Sequence, residues 1–352
     1  MNRVIGEPAS RDLLERLGLG RALESGAASF SGRNDNWAGA TTSGTEVFLK
    51  RTSATGMRRA VAFEVFAAAR TPEHLRAPRC VGWDEDAGLH VTELLSERDR
   101  VSGDQLADSG DFGADVAEAV GRAIGELHGW TPTTEVPAHE EIPILGPIAR
   151  LFGGLPLAVY LEATGAELEV WRLVRHDRPL RAALDALAGQ SAVALRPVHG
   201  DLRLDQLQVV GSTVHVTDWE EFGLADPAVD VGAFVGQWVQ RAVLGITEPE
   251  RDEAENSLSY NDIIQRTITG LREVKPIISA FWAGYRAERA EIEVGLAERA
   301  TAFAGWHMFD RMFAVAHQSS QVLAVQRAAA GIGRKLLLDP GRYVDVVGLG
   351  AS

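Results

Sequence analysis

The stretch HGDLRLDQLQVV and the TVHVTDWE that follows it bring three oxygen-bearing side chains into short range: Asp201, Gln206 and Asp218. A carboxylate, an amide and a second carboxylate are what phosphoryl transfer asks of a protein. The covalent chemistry is slight, and most of the barrier lowering comes from fixed charge and a metal ion on the phosphates. In that reading Asp201 accepts the proton of an attacking hydroxyl. Gln206 and Asp218 hold Mg2+ through oxygen, the ligand atom a hard cation takes. Two strand-like runs around Gly211 close as a hairpin and bring the amide and the distant carboxylate together.

The elements that must position these residues follow from periodicity. Ser10 is placed to N-cap a short helix, RDLLERL, which Gly18 ends. Ser43-Gly44-Thr45 gives turn chemistry between two short segments, the second being the β-prone Val47-Phe48-Leu49. A glycine-bearing bend from Gly32 to Gly39 precedes them. Val61 and Val65 lie four apart and Phe63 and Phe66 three apart, which predicts a helix over 57–70. Strand-like runs follow at 79–83 and 89–95, across the acidic turn Asp84-Glu85-Asp86. From about Asp111 the pattern is helical: DVAEAVGRAIGELHGW, then LEVWRLVRHDRPLRAALDALAG, then much of 263–327. Only LQVV and TVHVTDW interrupt it, and Glu248–Asp262 reads as a loop or a short exposed helix. The expected class is α+β, with a small β-rich lobe over 1–95 and a large, mainly helical lobe over 96–352.

Bulk properties narrow the field. The chain has 352 residues, 45% hydrophobic and 24% charged, which are ordinary globular values. A net charge of -14 without a basic tract argues against nucleic acid as a partner. An acidic surface attracts cationic molecules, although its commonest effect is solubility. One cysteine, Cys80, excludes an internal disulfide and fits a reducing cytoplasm; lying in an apolar strand-like run, it reads as buried and inert. No apolar run approaches the roughly 18–20 residues a membrane span needs, and MNRVIGEPASRD lacks the apolar segment of a signal peptide, so the expected location is the cytoplasm. There is no HExxH, no GxSxG and no Cys/His set in sequence, which leaves zinc hydrolysis and acyl transfer without support.

His199, Asp201, Gln206, Asp218, Trp219, Glu220, Asp226, Pro227 and Asp230 stand in the order and at the spacing of a known pattern. The chain resembles the aminoglycoside phosphotransferase and choline kinase superfamily, whose pattern is H-G-D-x4-N, a hydrophobic strand ending D-W-E, and D-P-x-x-D. The departure is Gln206, where asparagine is expected. The resemblance implies a two-lobed protein-kinase-like fold that uses ATP and Mg2+. It makes Lys50 the phosphate-binding lysine, ion-paired with Glu64, and puts the adenine-binding backbone at Glu93 to Leu95. Gly32 and Asn34 then cover phosphates, unless their segment is a plain polar turn. Arg203 stands where protein kinases carry a lysine near the transferred group; it either neutralises charge there or pairs with Asp205. His128 and His199 are packing residues, and Asp230 caps the backbone of the catalytic loop.

The acceptor stays open at this level. A small cationic molecule such as an aminoglycoside or amino alcohol fits the charge and the superfamily. A narrower resemblance links GRNDNWAG, SGTEVFLKR and HGDLRLDQ to the stand-alone kinase subunits of class V lanthipeptide and thioamitide biosynthesis. It implies phosphorylation of Ser/Thr in a precursor peptide, followed by elimination on a separate lyase. Gln206 alone motivates a third reading, a nucleotide-binding pseudokinase scaffold.

Overall fold

The computed structural model describes residues 3–23, 35–95, 100–134, 136–139, 145, 153–189, 194–245 and 260–350. The chain forms two compact units. The first takes Met1–Asp111, Thr131–Pro137 and Asp205–Gly223; the second takes Phe112–Trp130, Ala138–Leu204 and Leu224–Ser352. The architecture is mixed α+β, as expected, with a small antiparallel sheet in the first unit and helices dominating the second. The hairpin around Gly211 belongs by its contacts to the first unit, although in sequence it falls among the helices of the second.

In the first unit, helices α1 (Arg3–Gly6) and α2 (Pro8–Arg16) precede β1 (Asn36–Ala40) and β2 (Glu46–Arg51). Helix α3 (Ala54–Ala68) leads to β3 (Cys80–Asp84) and β4 (Leu89–Glu93), and the four strands pair antiparallel in the order β1-β2-β4-β3. Strand alternation sorts the two faces. Val47, Leu49, Leu89 and Val91 are fully buried in a core with Val4, Leu13, Leu14 and Trp37, so α1 and α2 cover that face. Lys50 stands directly opposite His90, both of them off this core. Ser10 is not an N-cap: the helix begins earlier, with Pro8 in its first turn, and the buried Ser10 hydroxyl donates 2.6 Å to the Val4 carbonyl. Gly18, at φ 73°, does end the helix.

Helix α3 starts three residues earlier than its apolar spacing suggests, because Ser53 accepts from the Gly56 N–H at 3.1 Å. Its buried Phe63 lies flat on Trp219, with centroids 3.6 Å apart and planes at 3°, a contact worth about 0.5–1.5 kcal/mol beyond area burial. Trp219 opens a 3-10 turn, Trp219–Glu221, after the hairpin β7 (Leu207–Val210) and β8 (Thr213–Val216). Strand β5 (Arg100–Ser102) adds to β7 and runs into α4 (Gly103–Ser109).

The second unit holds α5 (Ala114–Gly129), α6 (Leu157–Glu162), α7 (Gly165–His176), α8 (Arg178–Ala188), the paired β6 (Arg196–Val198) and β9 (Gly223–Ala225), and α9 (Ala228–Leu244). Then follow α10 (Tyr260–Ala287), α11 (Leu296–Ala316), α12 (Ala324–Leu338) and α13 (Pro340–Val347). The periodic stretch after residue 164 breaks at Asp177, which caps α8 by accepting from the Leu180 N–H at 3.1 Å. Helices α9 and α11 cross closely because Gly232 carries no Cβ; one built there would lie 2.4 Å from the Cβ of Phe303. Glu248–Asp262 falls almost wholly outside the described residues.

Candidate active site

Within the first unit, the hairpin base holds the amide and the carboxylate in register. The Thr217 N–H donates 2.9 Å to the Gln206 carbonyl and its hydroxyl donates 3.0 Å to the same oxygen. The Gln206 amide nitrogen then reaches Asp218 Oδ2 at 3.2 Å. Asp218 is the one non-glycine residue with positive φ among the described residues, at φ 70° and ψ 60°. A non-glycine in this left-handed region costs energy that the surrounding structure must offset, and such strain collects at functional sites. Here the hairpin hydrogen bonds and the Phe63–Trp219 stack hold it.

Lys50 Nζ ion-pairs with Asp218 Oδ1 and lies 3.1 Å from Glu220 Oε2. The Thr52 hydroxyl donates 2.6 Å to that same glutamate oxygen. Two carboxylates and an amide therefore surround one seat, which already accommodates the positive charge of Lys50. This donor set suits a hard divalent cation, which prefers oxygen from carboxylates and amides. The Gln206 side chain meets that requirement after a half-turn of its amide, which exchanges Nε2 for Oε1.

The expected pair of Lys50 with Glu64 does not form. Glu64 Oε1 lies instead 3.3 Å from His90 Nε2, and Lys50 takes Asp218 and Glu220. Phe63 and Phe66, both nearly fully buried, fix the inner face of helix α3, and Glu64 lies beside His90 on β4. Cys80 is half-buried rather than enclosed, 3.3 Å from the same His90 nitrogen. At the end of β4 the Glu93 N–H donates to the Arg79 carbonyl at 2.9 Å, its carboxylate accepts the Arg79 N–H at 2.9 Å, and Leu95 follows the ladder. Gly32 and Asn34 lie outside the described residues. The buried Asn36, beside them in sequence, opens β1 directly across from Lys50.

Within the second unit, the His199-Gly200-Asp201 loop is strapped from α9. Asp230 is completely buried and accepts from the His199 N–H at 2.7 Å, the Gly200 N–H at 2.9 Å and His128 Nε2 at 3.0 Å. Burial by itself would raise its carboxyl. The hydrogen bond and charge of His128, the charge of His199 and the Gly200 N–H outweigh that and hold it below the usual carboxylate range. His128 Nδ1 bonds the Tyr285 hydroxyl at 2.9 Å. His199 Nδ1 accepts the Asp201 N–H at 3.3 Å, so both histidines are braces. The glycine of HGD has φ 86°, which a side chain would strain. Asp201 remains part-exposed, with Arg203 Nε 3.3 Å from its Oδ2. Farther along the motif, Arg299 grips Asp226 with two nitrogens, at 2.6 and 3.2 Å.

A sequence profile described as a phosphotransferase enzyme family matches residues 28–256. The chain belongs to this phosphotransferase family. The enzyme is thus a kinase-type phosphotransferase, of the class acting on hydroxyl groups. A search of curated proteins finds no match. Solved structures similar to the phosphotransferase include amicoumacin kinase hAmiN in complex with AMP-PNP, Ca2+ and Ami, at TM-score 0.55 and 15% identity, covering 95% of this chain and 94% of that one. The macrolide 2'-phosphotransferase MphH of Brachybacterium faecium aligns at TM-score 0.51 and 15% identity over 95% and 99%. The streptomycin–ATP ternary complex of APH(2")-IIa aligns at TM-score 0.51 and 12% identity over 91% and 96%. At these identities the likeness is one of fold.

Two features of the phosphotransferase site escape sequence reasoning. Glu220, the acid of DWE, is a partner of Lys50 that the sequence pattern does not announce; a carboxylate two residues after Asp218 was the available signal. Tyr285 bonds His128 from 157 residues away, and no local pattern announces it.

Proposed function

We propose that this phosphotransferase moves the γ-phosphoryl group of ATP, with Mg2+, to an acceptor hydroxyl. The observation that carries the reading is the strained Asp218 with Gln206, Glu220 and Lys50 around one cation seat. When bound, the metal neutralises phosphate charge and the nucleotide supplies the phosphoryl group. Lys50 binds phosphate oxygens once released from Asp218. Gln206 and Asp218 hold the metal through oxygen, while Glu220 and Thr52 keep the Lys50 side chain extended. Asp201 takes the acceptor's hydroxyl proton, and Arg203 fixes its orientation and adds positive charge. Backbone groups from Glu93 to Leu95 and the Gly32–Asn34 segment complete nucleotide binding in this reading.

For the acceptor, a small hydroxyl-bearing cation is supported by the net charge of -14 and by solved relatives named for amicoumacin, macrolide and streptomycin. Ser/Thr of a ribosomal precursor peptide, acting ahead of a separate lyase in the cytoplasm, is supported by the GRNDNWAG, SGTEVFLKR and HGDLRLDQ stretches. One assay separates them: incubation with ATP and Mg2+ alongside either an aminoglycoside and macrolide panel or the precursor peptide, read by mass. A gain of one phosphoryl mass on either class, lost in Asp201→Asn, supports transfer and names the acceptor. Nucleotide binding without transfer to any acceptor overturns the enzymatic reading in favour of a scaffold.

A further inference from the structure

Glu64, left without the lysine expected of it, converges with two other side chains. Its Oε1 lies 3.3 Å from His90 Nε2, and Cys80 Sγ lies 3.3 Å from that same nitrogen. All three ligand atoms fall within 4.8 Å of one another. They come from three separate elements, α3, β3 and β4, and strand register makes the meeting possible. Cys80 pairs with Thr92, two residues from His90 and on its face, and a bulge between Cys80 and Gly82 absorbs the extra residue.

The Cys80 thiol also reaches the Val91 carbonyl at 3.8 Å, yet one His90 nitrogen still faces both a sulfur and a carboxylate oxygen. A neutral ring nitrogen carries either one proton or one lone pair. If Nε2–H donates to the Glu64 carboxylate, it offers nothing to the Cys80 thiol; if Nε2 accepts from the thiol, it faces the carboxylate lone pair to lone pair. One nitrogen facing a sulfur and an oxygen also suits three ligands around a shared cation. Tetrahedral zinc with sulfur at about 2.3 Å and nitrogen and oxygen near 2.1 Å separates S from N by about 3.6 Å and N from O by about 3.4 Å. The observed 3.3 Å spacings are close to both.

We propose that Glu64, Cys80 and His90 form a zinc-binding site that fastens helix α3 to the β3–β4 edge of the sheet. Thiolate, imidazole and carboxylate supply three of four tetrahedral positions, and water completes the set. Binding forms the Zn–S bond as the thiol proton leaves to solvent; no redox change is involved. Side-chain exposures of 16% for Glu64 and 15% for His90 leave the ion a route in. With zinc bound, Glu64 stays committed to the sheet. The site does not depend on the phosphotransfer reading.

The single cysteine makes the test specific. The metal-free full-length protein is titrated with Co2+ and then with Zn2+, and absorbance and bound metal are recorded. One Co2+ per chain with a sulfur-to-cobalt charge-transfer band, displaced by Zn2+, is the expected result. Cys80→Ser abolishes the band, and His90→Gln weakens Zn2+ binding more than about tenfold, with circular dichroism confirming that both variants fold. Cobalt that binds without the band, or zinc affinity unchanged in both variants, overturns the proposal. The oxygen-lined seat at Asp218 gives no such band, so metal bound there is not mistaken for this site.

Discussion

The Asp230 carboxylate holds the His199 N–H at 2.7 Å from a helix that begins 29 residues farther along the chain. The same carboxylate takes the Gly200 N–H and His128, so one buried charge fixes the backbone that presents Asp201. Asp230→Ala leaves two N–H groups and a histidine without a partner, at a cost of about 3–5 kcal/mol in urea unfolding. Asp230→Asn retains one accepting oxygen and costs less. Because the folded carboxyl is held low, its contribution is present above the ordinary carboxylate range and fades as pH falls below about 4. Unfolding of Asp230→Ala within 0.5 kcal/mol of the parent, on the order of an ordinary surface change, contradicts the strap.

Lys50 answers to Glu220 and not to Glu64. Glu220→Gln removes a charge-assisted contact, and the Michaelis constant for ATP should rise roughly tenfold, the equivalent of about 1.4 kcal/mol. Glu64→Gln should leave that constant within about twofold, since at a part-exposed site it alters no contact of the lysine. Steady-state kinetics on the two variants decide it; the reverse order would restore Glu64 as the lysine's partner.

Gln206 tests whether glutamine still serves the metal. Gln206→Ala should raise the Mg2+ concentration for half-maximal rate by about tenfold or more. Gln206→Asn shortens the reach by roughly 1.5 Å, one C–C bond, and a modest backbone adjustment restores most of the affinity. An unchanged Mg2+ dependence in the alanine variant removes Gln206 from the ligand set.

His307 gives a second pH signature of the same sign, in a higher window. Fully enclosed on α11, it is pushed down to about 3 by burial, with the charges of Arg311 and Arg203 adding to the effect. The unfolded chain therefore takes up a proton near pH 6.5 that the folded chain refuses. Stability from this group is complete above that value and falls by about 1.4 kcal/mol per pH unit as pH drops toward 3. Urea titrations at pH 7 and pH 5 should differ accordingly, and His307→Gln should flatten the difference. An imidazole titrating near pH 6.5 by NMR in the folded protein would refute the assignment.

The sequence by itself determined the parts list. Spacing of His199, Asp201, Gln206 and Asp218, and the turn at Gly211, is local information carried by a short hairpin, and the structure returns both of its strands where periodicity puts them. Val47-Phe48-Leu49 is a strand, as its β-prone residues require, with Val47 and Leu49 buried and Phe48 and Lys50 on the other face. Partners were a tertiary decision. Which acid meets Lys50 depended on how Phe63 and Phe66 seat helix α3 against Trp219 and Phe222, a packing choice made by side chains more than 150 residues apart. The same choice left Glu64 beside His90 and Cys80. Within the second unit, Tyr285 reaches the loop brace through His128 from 157 residues away. Hydrophobic periodicity records which face of an element is buried. It does not record what that face is buried against, and contacts of long sequence separation fix the rest.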